Sequence, residues 1–155
     1  MEKVILLERE AFNIKLDTKN DVFIVNLIAD VEYDDAGFQE FLEYFKSGWV
    51  YINTNKQVYH MFINLGSVKK KNELPLHAYI KLIKMITDIN EILIKHCHSI
   101  CILTEGSKKW EESYNLLTKL WNPPERRPLK FTDCEEEVDI FFKTNKLLQN
   151  NNIIR

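Results

Sequence analysis

The alternation of short apolar runs with longer segments of helical periodicity constrains the fold more than any other feature of this chain. The run from Val58 to Leu65 is almost continuously apolar, as expected for a strand covered on both faces. From Pro75 to about Lys95, apolar residues recur at the three- or four-residue spacing of a helix. A second short apolar run, Ser99 to Leu103, follows. Strands that alternate with helices pair in parallel, so the pattern predicts an α/β domain.

The chain before this alternating region predicts an antiparallel hairpin. From Phe12 to Leu16, apolar and polar residues alternate, which is typical of a half-buried strand. The polar segment Lys19–Asp21 predicts a turn, and Val22 to Ile28 predicts a second, more apolar strand. The apolar run from Val4 to Leu7 is a candidate for one more strand in front of the hairpin.

Three further segments predict helices by the spacing of their apolar residues. The first is expected to end at Ser47-Gly48, which leaves Trp49 to Lys56 as a loop or a short strand. The second is capped by Ser107 and stops before Asn122-Pro123-Pro124. The third lies near the end of the chain. The residues predicted to face the core from these helices are Phe38, Phe41, Leu42, Phe45, Trp110, Tyr114, Leu117, Trp121, Val138, Phe141 and Phe142.

The last part of the chain completes the predicted order. Leu129 to Phe131 predicts a short strand, and Thr132 and Glu135 stand at the spacing of a capping box that opens the final helix. The order β-β-α-β-α-β-α-β-α predicts a mixed, mostly parallel sheet with an N-terminal β-hairpin and about four helices. We expect residues 1–149 to form a single domain and residues 150–155, which begin with three asparagines, to form a flexible tail.

Composition narrows the classes of function. The net charge of -2 gives no basic field of the kind that nucleic acid requires, so no nucleic-acid partner is expected. Only four glycines occur, and the glycine-rich loops that bind nucleotide phosphates are absent from the sequence. Three cysteines do not make a disulfide framework, which predicts free thiols in a reducing compartment, so the protein is expected to be cytoplasmic or nuclear. No uncharged apolar stretch reaches the length of a membrane span, so no stable membrane insertion is expected. No cofactor is predicted.

The order of elements, over about residues 11 to 148, resembles that of the STAS domain, the fold of the anti-sigma-factor antagonists. In that family a strand ending in Asp leads to a loop, and a Ser or Thr at the start of the next helix is phosphorylated. The corresponding strand here ends Asn64-Leu65-Gly66-Ser67, and the helix opens Leu74-Pro75-Leu76. Asn64 therefore replaces the acidic residue, and Ser67 is the nearest hydroxyl. A weaker similarity is to the small Sec14-like lipid-binding proteins. The resemblance implies a regulatory module that works through protein contacts.

The carboxyl ends of the predicted strands are the first candidate site, because ligands of open α/β sheets bind in the crevice at that edge. Helix amino termini, which favour anions, open on the same edge. The sequence predicts a rim there for an acidic partner or a phosphorylated ligand, although a run of lysines also serves only to solvate a loop. The predicted rim residues are Ser67, Lys69, Lys70, Lys71, Ser107, Lys108 and Lys109.

The residues capable of catalysis or metal binding point to structural roles. His96–His98 and Cys101 are too close in sequence for a tetrahedral zinc site, and alternation along a strand would send His98 and Cys101 to opposite faces. His60 lies within an apolar run and is predicted to be a core or sheet-face histidine. Cys134 lies in the first turn of a helix, which lowers a thiol pKa, but no histidine is close in sequence to act as a base. We therefore predict no metal and no catalytic residue.

The helix predicted from Pro75 to Lys95 is apolar over an unusually wide arc, so it is expected to be covered on more than one side. One interpretation is a face for a partner or a second copy, formed by Tyr79, Ile80, Ile83 and Ile92. The other is that the segment from Trp49 to Tyr59 folds over the helix. The sequence leaves these two interpretations open.

Two functions follow from these expectations. The first is a non-catalytic module for protein–protein interaction or regulation, with a STAS-like fold, whose partner is another protein or a second copy in a homodimer. The second is a carrier or sensor of a small anionic ligand, such as a nucleotide or a lipid, held at the lysine rim. An enzyme is not expected.

Overall fold

The computed structural model describes residues 3–9, 12–27, 35–66, 76–104 and 128–151 of the chain. Within them, six strands form one sheet whose spatial order follows the order along the chain. The strands are β1 (Lys3–Glu8), β2 (Phe12–Asp17), β3 (Val22–Leu27), β4 (Tyr59–Gly66), β5 (Cys97–Thr104) and β6 (Leu129–Thr132). The helices are α1 (Asp35–Thr54), α2 (Leu76–Asp88), α3 (Asn90–His96) and α4 (Glu135–Asn151). None of these helices is long and apolar enough to cross a membrane.

The sheet is mixed and mostly parallel, as predicted. Strands β1, β2 and β3 pair antiparallel, and each later pair, β3 with β4, β4 with β5 and β5 with β6, is parallel. The predicted hairpin is therefore confirmed as β2 and β3, and the apolar run Val4 to Leu7 is the strand β1 that extends it. The predicted helix from Ser107 to Trp121 lies outside the described residues.

One face of the sheet carries the main core. Phe12 and Leu16 share one face of β2, and Leu16 pairs with Phe23 of β3. Phe12 and Phe23 therefore both point to this face. Phe41 of α1 stacks on Phe12 with ring centroids 4.8 Å apart, and Phe45 meets Phe23 edge-on at 5.3 Å. Burial of each such ring contributes about 2 kcal/mol or more to stability. The predicted apolar face of the first helix, which includes Phe38 and both of these rings, is confirmed as buried.

Helix α1 continues past the point where the sequence predicts its end. Gly48 was expected to terminate the helix, yet α1 runs through Thr54, and Trp49 is fully buried within the main core. The reason for the glycine is space, because a β-carbon at position 48 would lie 2.5 Å from Cε2 of Phe23. The helix ends instead at Thr54. Two residues later Lys56 adopts a left-handed conformation, and the Gln57 amide donates to the Ile52 carbonyl (3.1 Å).

The helix predicted from Pro75 to Lys95 is two helices in the structure. The backbone at Ile89 leaves helical geometry, with φ of -108° and ψ of 16°, and separates α2 from α3. The amide of Ile89 still donates to the Met85 carbonyl and its carbonyl accepts from the Leu93 amide, so the break costs no hydrogen bond at these positions. Ile89 and Leu93 are buried in the same core as Trp49.

Helix α4 covers the opposite face of the sheet, over β5 and β6. Its Val138 packs with Cys101 and Leu103 of β5 in a second, smaller core, as predicted for this inward-facing residue. The predicted capping pair is wrong in one member. The Thr132 hydroxyl donates to the carboxylate of Glu137, not Glu135, and its oxygen also accepts from the Cys134 amide (3.1 Å). Glu137 is the residue that reaches back because it lies in the third helical position, where capping glutamates stand.

Candidate functional site

A groove of about 380 Å³ lies between α4 and the neighbouring strands, on the face of the sheet opposite the main core. Pairing aligns Asp17, Val22 and His60 in one row across β2, β3 and β4, and it aligns Ile24 with Phe62 in the next row. Paired residues point to the same face of a sheet, so these rows form the floor. We call this cavity the α4 groove. Its lining consists of Asp17, Asn20, Val22, Ile24, His60 and Phe62 on the sheet side, and Val138, Asp139, Phe142, Lys143 and Lys146 on the helix side.

The turn between β2 and β3 closes one end of the α4 groove and is rigidly held. The carboxylate of Asp17 accepts from both the backbone amide and the side-chain amide of Asn20, at 3.1 and 2.9 Å. Asp21 follows in a left-handed conformation (φ 57°), which Asp tolerates better than most residues, and its carbonyl accepts from the His60 amide at 2.7 Å. Burial raises the pKa of Asp21, and the nearby Lys146 ammonium opposes that rise. The turn therefore fixes its carboxylates beside a lysine of α4.

His60 lies at the base of the α4 groove and is a neutral side chain. A hydrogen bond of 2.6 Å joins His60 Nδ1 to the hydroxyl of Ser99, and both side chains are almost fully buried. Burial, with smaller contributions from His98 and Lys146, lowers the pKa of His60 to about 4. The prediction of a satisfied sheet-face histidine is therefore confirmed.

His98 stands beside His60 because β5 is irregular. The register between β4 and β5 shifts between Tyr59 and Met61, and the rings of His60 and His98 meet edge-on at 5.4 Å. Burial lowers the pKa of His98, while a hydrogen bond with the backbone of Asn145 in α4 raises it. The expectation that His98 and Cys101 face opposite sides is wrong, since strict alternation does not survive a bulge. Both side chains lie on the face covered by α4.

The cysteines are free and two of them are buried. Burial raises the pKa of Cys101 to about 11, which keeps it a thiol at neutral pH. Cys134 is half-buried immediately before α4. Among the residues that the structure describes, no group of three or more histidine, cysteine, aspartate or glutamate side chains could hold a metal ion.

The two lysines of the α4 groove are its cationic wall. Lys143 and Lys146 lie one turn apart on α4, and in the described part of the chain neither forms an ion pair within 4 Å. The field of Lys146 reaches both the carboxylate of Asp21 and the imidazole of His60, since it shifts the pKa of each. The amino-edge end of the α4 groove thus combines the carboxylate of Asp21 with a lysine that forms no ion pair within 4 Å among the described residues.

The predicted rim at the carboxyl edge of the sheet lies outside the described residues: Ser67, Lys69, Lys70, Lys71, Ser107, Lys108 and Lys109. In open α/β sheets, a crevice for ligands opens at the carboxyl edge where the strand order reverses. The described strands are ordered sequentially from β1 to β6 without a reversal. The α4 groove lies instead near the opposite edge, where the parallel strands begin.

Of the four residues predicted to form a partner face on the helix after β4, the structure describes the side chains of two. Ile80 is 58% exposed, whereas Ile92 packs against the main core. Tyr79 and Ile83 lie in α2, and their side chains are outside the description. The segment after Trp49 does cover part of this region, because the Gln57 carbonyl contacts His96 Nδ1 at 2.5 Å. Cover by the segment after Trp49 is therefore confirmed in part, and the partner face stays a prediction.

A second surface is the outer edge of the sheet. Strand β1 has a neighbour only in β2 among the described strands, and it exposes two branched apolar side chains, Val4 (48%) and Ile5 (54%). The ion pair of Arg9 with Glu40 (2.8 Å) anchors the end of this strand to α1. Exposed apolar side chains on an edge strand form a template for pairing with another strand.

Sequence reasoning identified His60 but missed the rest of the α4 groove. One signal was present, since β3 is apolar on both faces: Phe23 and Val25 face the main core, and Val22 and Ile24 face the other side. A strand apolar on both faces is expected to be covered on both. Comparisons with models of known protein families, with curated proteins and with solved structures found no match for this chain.

Proposed function

We propose that this protein is a non-catalytic binding module that takes a small molecule into the α4 groove. The observation that carries the proposal is the groove itself, with an apolar floor, a closed turn at one end and, on one wall, two lysines that form no ion pair with the described residues. Its volume of about 380 Å³ falls in the range of ligand sites, which are mostly apolar with a few polar groups. This function belongs to the same class as the small-ligand carrier expected from sequence, at a different place on the fold.

The state of the nearby polar groups supports a non-catalytic role. Ser99 is fully buried behind His60, so its hydroxyl is not accessible to the carbonyl of a substrate. The low pKa of His60, about 4, makes it a weak base at neutral pH, whereas efficient general bases have a pKa near the working pH. Cys101 is a buried thiol and not the thiolate that a nucleophile requires.

Binding is tested with N-phenyl-1-naphthylamine, a neutral apolar dye whose fluorescence rises in apolar sites. We expect the wild-type protein to bind the dye and Ile24→Trp to reduce its affinity about tenfold or more, because the indole fills the floor of the groove. The matched control is Ile5→Trp, which adds the same side chain on the same face, two strands away. Equal loss in both variants, or binding unaffected by Ile24→Trp, contradicts the proposal.

A second candidate function is the protein-interaction module expected from sequence, and the exposed edge of β1 favours it. The strand begins with Lys3 and ends with Glu8, with four apolar residues between them. In an antiparallel pair of two copies, the lysine end of one strand meets the glutamate end of the other, and opposite charges across strands are favourable. The partner we propose is therefore a second copy, with pairing through β1. The STAS-like relationship remains a prediction from element order.

Self-association is tested by sedimentation velocity over a range of protein concentrations. We expect dimers in the wild type and monomers for Ile5→Lys, since a lysine placed on an edge strand opposes pairing. The control is Ile80→Lys, which changes an equally exposed residue on α2. A monomeric wild type overturns the self-association proposal. If Ile80→Lys dissociates the dimer and Ile5→Lys does not, pairing through β1 is wrong, and the interface is the face of α2 predicted from the sequence.

A further inference from the structure

We propose that the ligand of the α4 groove is an amphiphilic organic anion, with its acidic group between Lys143 and Lys146 and its apolar body along Ile24 and Phe62. This inference rests on the proposed function of the groove and adds the chemical class of the ligand. It follows from the direction of α4, from the distribution of apolar residues and from the charges that remain unpaired.

The groove has two chemically different ends. Helix α4 follows β6, so it begins at the carboxyl edge of the sheet and runs back toward the amino edge, where the backbone of Asn145 bonds with His98. Val138 is therefore near one end of the groove and Lys146 near the other. Eight residue steps along the helix separate the two, which is about 12 Å along the helix axis. This length accommodates an extended molecule with one end in each environment.

The half of the groove toward the carboxyl edge is apolar. Ile24 and Phe62 form its floor, and Val138 and Phe142 form its wall. The next row on the same face of the sheet is polar, because Asn26 donates to Asn13 at 2.6 Å. The apolar half thus ends at two asparagine side chains that hydrogen-bond with each other. This half of the groove favours the uncharged hydrocarbon or aromatic body of a ligand.

The half toward the amino edge favours an anion over a cation. The Asp17 carboxylate already accepts two hydrogen bonds from Asn20, and burial raises the pKa of Asp21, which disfavours its charged form. Lys143 and Lys146 form no ion pair within 4 Å among the described residues. Asp139, the other carboxylate of the lining, stands a full turn before Lys143 on α4, toward the apolar half. His60 is neutral, so the cationic groups of this end are the two lysines of α4. The cations available to a ligand therefore lie together at one end.

The test uses two probes that differ by one acidic group. The dye 8-anilinonaphthalene-1-sulfonate has the aromatic body of N-phenyl-1-naphthylamine with a sulfonate added. We expect the wild type to bind the sulfonate more tightly than the neutral dye, and added salt to weaken only the sulfonate. The double variant Lys143→Met with Lys146→Met keeps the apolar stems and should weaken sulfonate binding about tenfold while leaving the neutral dye unchanged.

The matched control is Lys81→Met with Lys84→Met, which removes two exposed lysines from α2 and should change neither affinity. The proposal of an anionic ligand is overturned if the double variant binds the sulfonate as tightly as the wild type does. If the neutral dye also still binds, the groove remains a site for an apolar molecule. Failure of both probes to bind the wild type overturns the proposed function as well. Displacement by octanoate compared with 1-naphthoate then distinguishes an aliphatic from an aromatic body.

Discussion

Replacing Gly48 with alanine is expected to lower the free energy of unfolding by about 1 to 3 kcal/mol, as for other overpacked cores. An alanine β-carbon would stand 2.5 Å from Cε2 of Phe23 and 3.0 Å from Cδ1 of Leu6. The contact with Phe23 is shorter than carbon atoms tolerate, and the contact with Leu6 is tight. Phe23 is fully buried against Phe45 and Trp49, so its ring has little freedom to move. Alanine is favoured over glycine in a helix by about 1 kcal/mol, so a loss of stability requires steric strain to exceed that gain.

Urea denaturation of matched variants measures this strain. Ser47→Ala is the control, since position 47 is exposed in the same helix and the change should be neutral or slightly stabilising. A double variant that adds Phe23→Leu to Gly48→Ala removes the ring atoms in contact, and we expect its loss to be smaller than the sum of the two single losses. A more stable Gly48→Ala protein, or strictly additive losses, would contradict a close approach of α1 to β3.

The end of α1, which was predicted at Gly48 and lies at Thr54, illustrates what the sequence could and could not predict about the fold. The faces of the elements were predictable, because periodicity is local: Phe38 and Phe45 were placed on the core side of α1, and both are buried. The role of Gly48 was not, because a glycine that ends a helix and one that admits a close neighbour are identical in sequence. The neighbour is Phe23, which is distant along the chain and belongs to a different element.

The candidate site was harder to predict for a related reason. The α4 groove joins the turn at Asp17–Asp21 to Lys143 and Lys146, two segments separated by most of the chain. Their proximity depends on the sequential strand order and on α4 crossing to the second face, and neither is encoded in local periodicity. The carboxyl edge was chosen because ligands of open α/β sheets bind there, and that choice stays a prediction, since the rim residues lie outside the described part of the chain. His60 could be assigned correctly because its apolar neighbours in sequence already implied burial.

Acid is expected to destabilise the protein through His60, by about 3 kcal/mol between neutral pH and pH 4. The folded protein lowers the pKa of His60 to about 4 from 6.5, so between these values the unfolded chain binds more protons than the folded one. Stability is therefore fully present above about pH 6.5, falls as the pH drops toward 4, and has no further loss from this group below that. The magnitude follows because a tenfold difference in proton affinity corresponds to about 1.4 kcal/mol.

His60→Asn isolates this contribution, because the asparagine amide can replace Nδ1 in the hydrogen bond with Ser99 but does not titrate. The variant is expected to be less stable at pH 7, since it leaves part of a buried space unfilled, yet its stability should change less between pH 7 and pH 4. Val138→Ala is the control, because it also leaves a buried space unfilled but removes no titratable group, and it should keep the wild-type pH profile. Asp21 and His98 also titrate with shifted pKa values in all three proteins. Subtracting the pH profile of His60→Asn from that of the control therefore removes their contribution to stability. Parallel profiles for His60→Asn and the wild type would mean that His60 is protonated in the folded state near pH 6, and the neutral base assigned to the α4 groove would then be wrong.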